Sequence, residues 1–587
     1  MPARVRSSPG KSVARILLIL ASVAAGCNGA PDAGVPLSSG IAFTDVSAEA
    51  GLASFRHVNG SEGTFWFPEQ MGAGGGFVDL DGDGWEDIVL VGGGRLSPNG
   101  PEDIAAVRVY RNLRDGSFLD VTEPSGLASL RAYGTGVTAA DYDNDGDQDI
   151  YITALGENLL LRNDTEAHHV GAFAFTEVGR AGGVAGLPVW SSSALFVDAD
   201  NDGLADLYVA GYADWSRESD VDCYRNGEPD YCPPATYASA TSQFYQNLGG
   251  GVFAERSESV GLHENPGKSL AVAEWDFDQD GYSDIVVVND GQRDLLYMNS
   301  GNGSFTEVGV VSGTAFGEHG EARAGMGVDV GILDATGQPS IVVGNFSSEM
   351  IGVYRRTSSG WFIDRAAASR VGGGSLTTLA FGVLFLDADL DADLDVFVAN
   401  GHVYLDPIDG AQYRQAPHLF MNNFDGTFDD VAGAVGGPLA APMVGRSVSK
   451  ADYDRDGDED LLVTENNGPA HLLRNDSNPQ RVLRVRAGSP SLTRDGLGTQ
   501  VTVIAGDRRQ VRRVRTGSGY LSQSEKTLTF GLGSSAVIDT MIVDWPDGTR
   551  DEYTAIGTDV ELHLVHGQGI VGRRPVRTGP APSATAK

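Results

Sequence analysis

The chain has 587 residues, 8% of them aromatic and 79 of them glycine, with a formal net charge of −37. That length accommodates more than one domain, and glycine-rich turns between aromatic and aliphatic runs fit an all-β class better than a helical one. So large a negative excess excludes nucleic acid as a partner on electrostatic grounds.

Residues 1–27 read as an export signal, in which Arg4, Arg6, Lys11 and Arg15 flank the start of an apolar run, 16–25, too short to span a bilayer. The run ends Val-Ala-Ala-Gly-Cys27, which resembles the bacterial lipobox. The resemblance implies cleavage before Cys27 and lipid modification of its thiol; Asn28 in place of Asp then implies the outer membrane or cell surface. A plain secretory peptide with an incidental cysteine is the alternative, since Ala24 stands where the pattern prefers Leu. Residues 28–40, rich in Gly, Pro and Ser, read as a flexible tether.

From residue 79 onward one pattern recurs six times, Asp-x-Asp-x-Asp-[Gly/Ala]-x-x-Asp. The copies are Asp79, Asp81, Asp83 and Asp87; Asp141, Asp143, Asp145 and Asp149; Asp198, Asp200, Asp202 and Asp206; Asp276, Asp278, Asp280 and Asp284; Asp387, Asp389, Asp391 and Asp395; and Asp452, Asp454, Asp456 and Asp460. Carboxylates at loop positions 1, 3, 5 and 9, with a backbone carbonyl near position 7, match the hard oxygen set that Ca²⁺ takes. About six Ca²⁺ sites are therefore expected. An EF-hand is excluded because position 12, which must be a bidentate Glu, is Leu90, Ile152, Val209, Val287, Val398 and Val463. Short β-prone runs such as Asp284-Ile-Val-Val-Val follow each loop, so each should join two strands. These loops hold 24 of the 79 acidic residues, and metal-free they should repel one another and destabilise the compact state.

The gap between the fourth and fifth copies is about twice the others and contains a degenerate unit, with Ile332, Asp334, Thr336, Gly337 and Ser340 at positions 1, 3, 5, 6 and 9. It keeps one carboxylate and is expected to bind no metal. Seven units then repeat at about 62 residues. Each continues to a turn such as Tyr110-Arg-Asn112 or Tyr297-Met-Asn299, and most add a strand around Phe118, Phe175, Phe253, Phe305, Phe362 or Phe428. Four short strands per unit predict a seven-bladed β-propeller over 41–479, with a linear solenoid as the alternative. The seventh unit lacks its last strand while an unpartnered copy, Phe43-Thr-Asp-Val46, precedes the first, so the N-terminal strand should close the ring. In the long third unit, Cys223 and Cys232 of an exported protein are expected to pair as a disulfide; zinc would need two further ligands, and the insertion holds no histidine.

After Asn475 the loops stop and basic alternation begins, as in Arg481-Val-Leu-Arg-Val-Arg486 and Arg508-Arg-Gln-Val-Arg-Arg-Val-Arg515. Period-2 alternation predicts a small β domain over 480–567 with a wet charged face, and a disordered tail over 568–587. Thr493-Arg-Asp-Gly-Leu-Gly498, Gly517-Ser-Gly-Tyr-Leu-Ser-Gln523, Phe530-Gly-Leu-Gly533 and Val543-Asp-Trp-Pro-Asp-Gly548, in that order, resemble the ASPIC/UnbV module. The blades resemble the FG-GAP or VCBS repeats of integrin α-subunit propellers, and the combination resembles the cartilage acidic protein family and its bacterial relatives. Departures are Ala392 in the glycine position and the stripped fifth loop.

The resemblance implies an extracellular or cell-surface calcium-binding protein acting in adhesion, non-catalytic, that presents its loops to a protein or polysaccharide ligand and touches the membrane only through a lipid anchor. The rival is a hydrolase or oxidoreductase working in the central channel, with His57, Glu69 and His402 as acid–base candidates. No nucleophile elbow, His-Glu-x-x-His or phosphate-cradling loop accompanies them. A third expectation is that Arg508–Arg515 bind an anionic glycan or the propeller's own acidic surface, or else are only solvated.

Overall fold

The computed structural model describes residues 40–576 except 61–62, 98–99, 103–104, 166–170, 264 and 408. The export signal, Cys27 and residues 28–39 of the tether lie outside the described residues, as do 577–587. The described chain is almost entirely β.

Residues 40–475 lay down successive antiparallel groups of four strands, in sequence order except that the last is completed by an N-terminal strand; the second and third groups join through Val189–Trp190 and Leu155–Gly156 into one nine-stranded sheet, and the first gains Ser522–Gln523 as a parallel fifth strand. The fourth shows the plan, with Ser269–Trp275, Asp284–Asn289, Leu295–Asn299 and Phe305–Glu307 pairing in turn. First strands are buried along their whole length because both faces pack on neighbouring sheets; their residues are accordingly small or apolar, as in Ala380–Leu386. Outermost strands bury little more than one phenylalanine, and Phe118, Phe253, Phe305, Phe362 and Phe428 repeat that role. Each first strand packs against the first strand of the next sheet, and Gly445–Ala451 of the seventh packs back on Gly75–Val78 of the first. The ring is closed a second way by Phe43–Asp45, which supplies the outermost strand of the seventh sheet with Phe43 opposite Asn475.

The C-terminal domain is a sandwich of two four-stranded sheets. In one, Arg481–Gly488 runs parallel to Val560–Val565 and antiparallel to Leu528–Gly533; in the other, Gln500–Ala505 lies between Arg508–Arg513 and Val537–Asp544. Leu483, Val501, Phe530, Met541 and Trp545 form its core, which is continuous with Tyr142, Phe253 and Ala205 of the propeller. Two sequence expectations are corrected here. The domain does not stop at 567, because Gly569–Pro575 pairs with Val560–Val565 as an edge strand, so the residues called a disordered tail contain a strand. Nor is the charged face wholly wet, although Arg481, Arg486 and Arg509 are exposed. Arg484 and Arg513 are buried because that face lies on the propeller.

Between its sheets this domain sends residues 514–527 into the middle of the ring. Thr516 Oγ1 accepts from Phe196 N at 2.7 Å, Gly519 exchanges backbone hydrogen bonds with Val328 at 2.9 and 3.1 Å, and Ser522–Gln523 pairs in parallel with Gly75 and Gly76. Glu525 N donates to Lys450 O at 3.0 Å. Tyr520, at the tip, donates its hydroxyl to Met71 O at 2.8 Å and packs on Phe381. The central channel is thus filled by the chain itself.

Candidate metal centres

Each Asp-rich loop joins the first and second strands of its sheet, so all lie on one face of the ring. Position 1 organises the loop. Asp141 accepts Asp145 N through Oδ1 and Gly146 N through Oδ2, at 3.0 and 2.9 Å, and Asp198, Asp276 and Asp387 repeat both bonds. Asp79 and Asp452 keep the second bond, to Gly84 N and Gly457 N. Position 5 accepts the amide two residues on, as Asp83 from Trp85, Asp145 from Asp147, Asp202 from Leu204, Asp280 from Tyr282, Asp391 from Asp393 and Asp456 from Asp458. A φ of +110° at Gly146 makes this reversal. Ala392 takes φ +82° at the same place, where an L side chain is strained.

Ligand oxygens lie within 4.8 Å of one another in Asp79/Asp81/Asp83, Asp141/Asp143/Asp149, Asp198/Asp200/Asp202, Asp276/Asp278/Asp284 and Asp387/Asp389/Asp395. Several of these oxygens are buried and accept nothing, namely Asp79 Oδ1, Asp143 Oδ1, Asp200 Oδ1, Asp389 Oδ1, Asp452 Oδ1 and both of Asp454. A buried carboxylate oxygen without a donor is costly, and a cation supplies what is missing. Burial, then crowding by sister carboxylates, pushes Asp149 up to about 9, Asp284 to about 8, and Asp141 and Asp198 to about 7. Backbone hydrogen bonds oppose that rise. The donor set, all carboxylate oxygen, suits Ca²⁺ rather than a soft metal.

Position 9 has a further role that the sequence did not disclose. Asp87 accepts Leu80 N within its loop and Asn112 N from the third strand, at 3.0 and 2.8 Å. The Asn112 side chain then donates to Tyr453 O, in the loop of the seventh sheet, at 3.0 Å. Asp149 with Asn163, Asp206 with Asn247, Asp284 with Asn299, Asp395 with Asn422 and Asp460 with Asn475 repeat this, each Asn reaching the loop of the preceding sheet. Metal loop and inter-sheet bolt are therefore one unit. The signal was present as an Asn recurring two residues after each aromatic or aliphatic residue, read only as a turn. In the fifth unit Ser340 and Arg356 replace the pair, and Asp334 is ion-paired to Arg355 at 3.1 Å, which leaves no acidic cage.

The C-terminal domain covers the inner part of the loop face, while Asp145, Asp202, Asp278 and Asp280 stay exposed. Arg484 bonds Asp452 Oδ2 and Glu525, both at 2.5 Å; Arg486 lies 3.2 Å from Asp79; Arg513 is 3.2 Å from Glu274; and Arg515 pairs with Asp329. Asp141 N donates to Asp495, Arg494 N to Asn144, Asn201 to Pro546 O and Gly533 N to Leu390 O. Of the destinations expected for Arg508–Arg515, the propeller's own acidic surface is the one Arg513 and Arg515 take.

The three acid–base candidates sit on the opposite face. His57 is fully buried, its Nδ1 accepting Asn467 N at 3.1 Å, and burial lowers it to about 3. His402 Nδ1 accepts Tyr404 N at 3.0 Å, and burial lowers it to about 4. The Glu69 carboxylate accepts from Thr64 and Tyr231, and burial raises it. Cys223 and Cys232 form the expected disulfide, closing a hairpin insertion.

Residues 79–152 and 276–343, both of which hold acidic loops between first and second strands, match the FG-GAP-like repeat family. Residues 488–571 match the ASPIC and UnbV family. The chain is an FG-GAP-like repeat protein with a C-terminal ASPIC and UnbV domain, related to cartilage acidic protein 1. The human protein of that name is 25% identical over 82% of this chain and 70% of its own length; the Xenopus tropicalis protein is 24% identical over 82% and 71%. Among solved structures, an Agrocybe aegerita lectin that recognises terminal N-acetylglucosamine aligns over 73% of this chain and 94% of its own, with a TM-score of 0.37 and 14% identity. A Bacillus licheniformis rhamnogalacturonan lyase aligns over 68% and 70%, with a TM-score of 0.32 and 15% identity. Likenesses of that size say nothing of what this chain binds.

Proposed function

We propose that this protein is an exported, calcium-stabilised binding scaffold acting in adhesion at the cell surface, without a catalytic role. The observation that carries the calcium reading is the repeated set of buried carboxylate oxygens that accept no hydrogen bond. Such oxygens leave the folded metal-free chain short of donors, and bound Ca²⁺ supplies the charge and coordination at once. The sites are structural in this reading, because position 1 of the first, second and seventh loops is held by the C-terminal domain, through Arg486, Asp495 and Arg484. Partner binding then falls to the other face and the rim, where the hairpin closed by Cys223–Cys232 stands. Export rests on the signal read in residues 1–27, with Cys27 as the lipid anchor. Among the described residues no helix is long and apolar enough to cross a membrane.

The test is a calorimetric melt of residues 28–587 with calcium or with a chelator, together with metal analysis and the variant Asp143→Asn. Near six Ca²⁺ per chain and a large fall in Tm on chelation are expected. Asn at 143 removes a repelling charge beside Asp145 and should lower Tm in calcium yet hold or raise it in chelator. Equal changes in both conditions would show that Asp143 is no ligand, and absence of metal would end the calcium reading.

A further inference from the structure

The fifth repeat lacks the acidic cage, and arginines gather beside its loop. Its loop runs between Gly325–Ile332 and Pro339–Asn345, and its third strand, Gly352–Arg356, ends in two arginines. Between that strand and the Asp425–Thr427 turn of the sixth sheet lies a cavity of about 360 Å³. Arg355, Arg356 and Arg365 line it, with hydroxyls from Thr336, Thr357 and Thr427. Three arginines line one cavity in a chain of net charge −37.

The two carboxylates at the cavity are already engaged. Asp334 accepts Arg355 Nη1 at 3.1 Å and Thr336 N at 2.9 Å; Asp425 accepts Thr427 N at 2.9 Å and Thr427 Oγ1 at 2.6 Å. Arg356 Nη1 rests on Gln338 Oε1 at 3.2 Å. Arg355 is the anomaly. Its side chain is 19% exposed, and Nε and Nη2, the side-on fork that grips an oxyanion with two parallel hydrogen bonds, are buried with no acceptor. Burial weakens its hold on the proton, the Asp334 carboxylate opposes that, and the nearby Arg365 adds to the weakening. The fork is shielded from solvent, so capture of an anion requires a turn of the guanidinium. Gly426, where an added Cβ would sit 2.7 Å from Nη1, lets the guanidinium approach the turn of the sixth sheet closely. Arg365 is exposed nearby, and Ile363, opposite Arg355 on the neighbouring strand, adds an apolar wall.

We propose that this cavity is a binding site for an oxyanion group, a carboxylate or sulfate, which takes the side-on fork of Arg355 and pairs with Arg365. The shared chemistry has two sources, a free inorganic oxyanion or the acid group of a charged sugar, and the probes separate them.

Full-length calcium-loaded protein is titrated with sodium sulfate and with sodium D-galacturonate against sodium chloride at matched ionic strength, by calorimetry and by Tm. The variants are Arg355→Gln and Arg365→Gln; the second alters an exposed side chain and leaves folding intact. Saturable binding of at least one oxyanion is expected, weakened about tenfold or more in each variant, with the Tm of Arg365→Gln unchanged in chloride. Binding of sulfate alone assigns the inorganic source, and binding of galacturonate assigns the acidic sugar. Sulfate raises the Tm of many proteins by exclusion from their surfaces, so a rise that both variants share with the wild type overturns the proposal. So does the absence of a saturable response to either probe.

Discussion

At the scale of single residues, the asparagines that end each third strand do more than the aspartates that announce the fold. Asn112 Nδ2 donates to Glu86 O and Tyr453 O, so its loss leaves two carbonyls at the junction of the first and seventh sheets unpaired. Asn112→Ala should therefore cost about 1–3 kcal/mol for the orphaned groups, read as a fall in denaturation midpoint by equilibrium unfolding. A change within about 0.5 kcal/mol would mean that water replaces the side chain. This residue also marks where legibility ended. The Asp loops were readable because their ligands are set by spacing within nine residues. The bolt joins Asn112 to Tyr453 across 341 positions, and no local pattern encodes a partner so distant. Arg355 escaped notice for the same reason, since its environment is made by the sixth sheet.

At the scale of the loop, clustered carboxylates make metal-free stability depend on pH in a stated direction. Asp149 and Asp284 stay protonated in the folded metal-free chain up to about 9 and about 8, whereas in the unfolded chain they release protons near 4. Folding then takes up protons, so metal-free stability is greatest at low pH and falls as pH rises from about 4 through the folded values. The slope is about 1.4 kcal/mol per pH unit for each carboxyl still protonated. Calcium removes the slope, because the cation holds the same groups ionised. Melts from pH 6 to 8 should show a steeper fall of Tm in chelator than in calcium; parallel curves would mean that the loops do not titrate in this way. His471 acts in the same sense. Asp45 and Glu465 hold its imidazolium, raised to about 9, at 2.9 Å each across the closing strand. Its contribution is complete below about 6.5 and declines from there until pH passes about 9, so a fall shared by both conditions underlies measurements at pH 6 to 8.

At the scale of the whole molecule, the propeller and the C-terminal domain share one core and one set of ion pairs. Residues 514–527 occupy the channel, and Arg484, Arg513 and Arg515 leave buried charges unpaired if the domain departs. The Gly517–Gln523 run was visible in the sequence as a motif, yet its role as a plug was not, because it has no periodicity and its partners Phe196 and Met71 lie 320 and 449 residues away. One cooperative unit is the consequence. The full chain should unfold in a single calorimetric transition, with fluorescence near Trp545 and Trp275 reporting the same midpoint. Gly519 probes the coupling from inside the channel. Its φ is +73°, and an added Cβ would meet Ser522 Oγ at 2.8 Å and Val448 O at 3.1 Å, so Gly519→Ala strains the plug against the seventh sheet. A loss of about 1–3 kcal/mol should appear equally in both fluorescence signals. If the C-terminal sandwich melted separately, or if only the Trp545 signal moved, the plug would be a passive insertion and the propeller would stand without it.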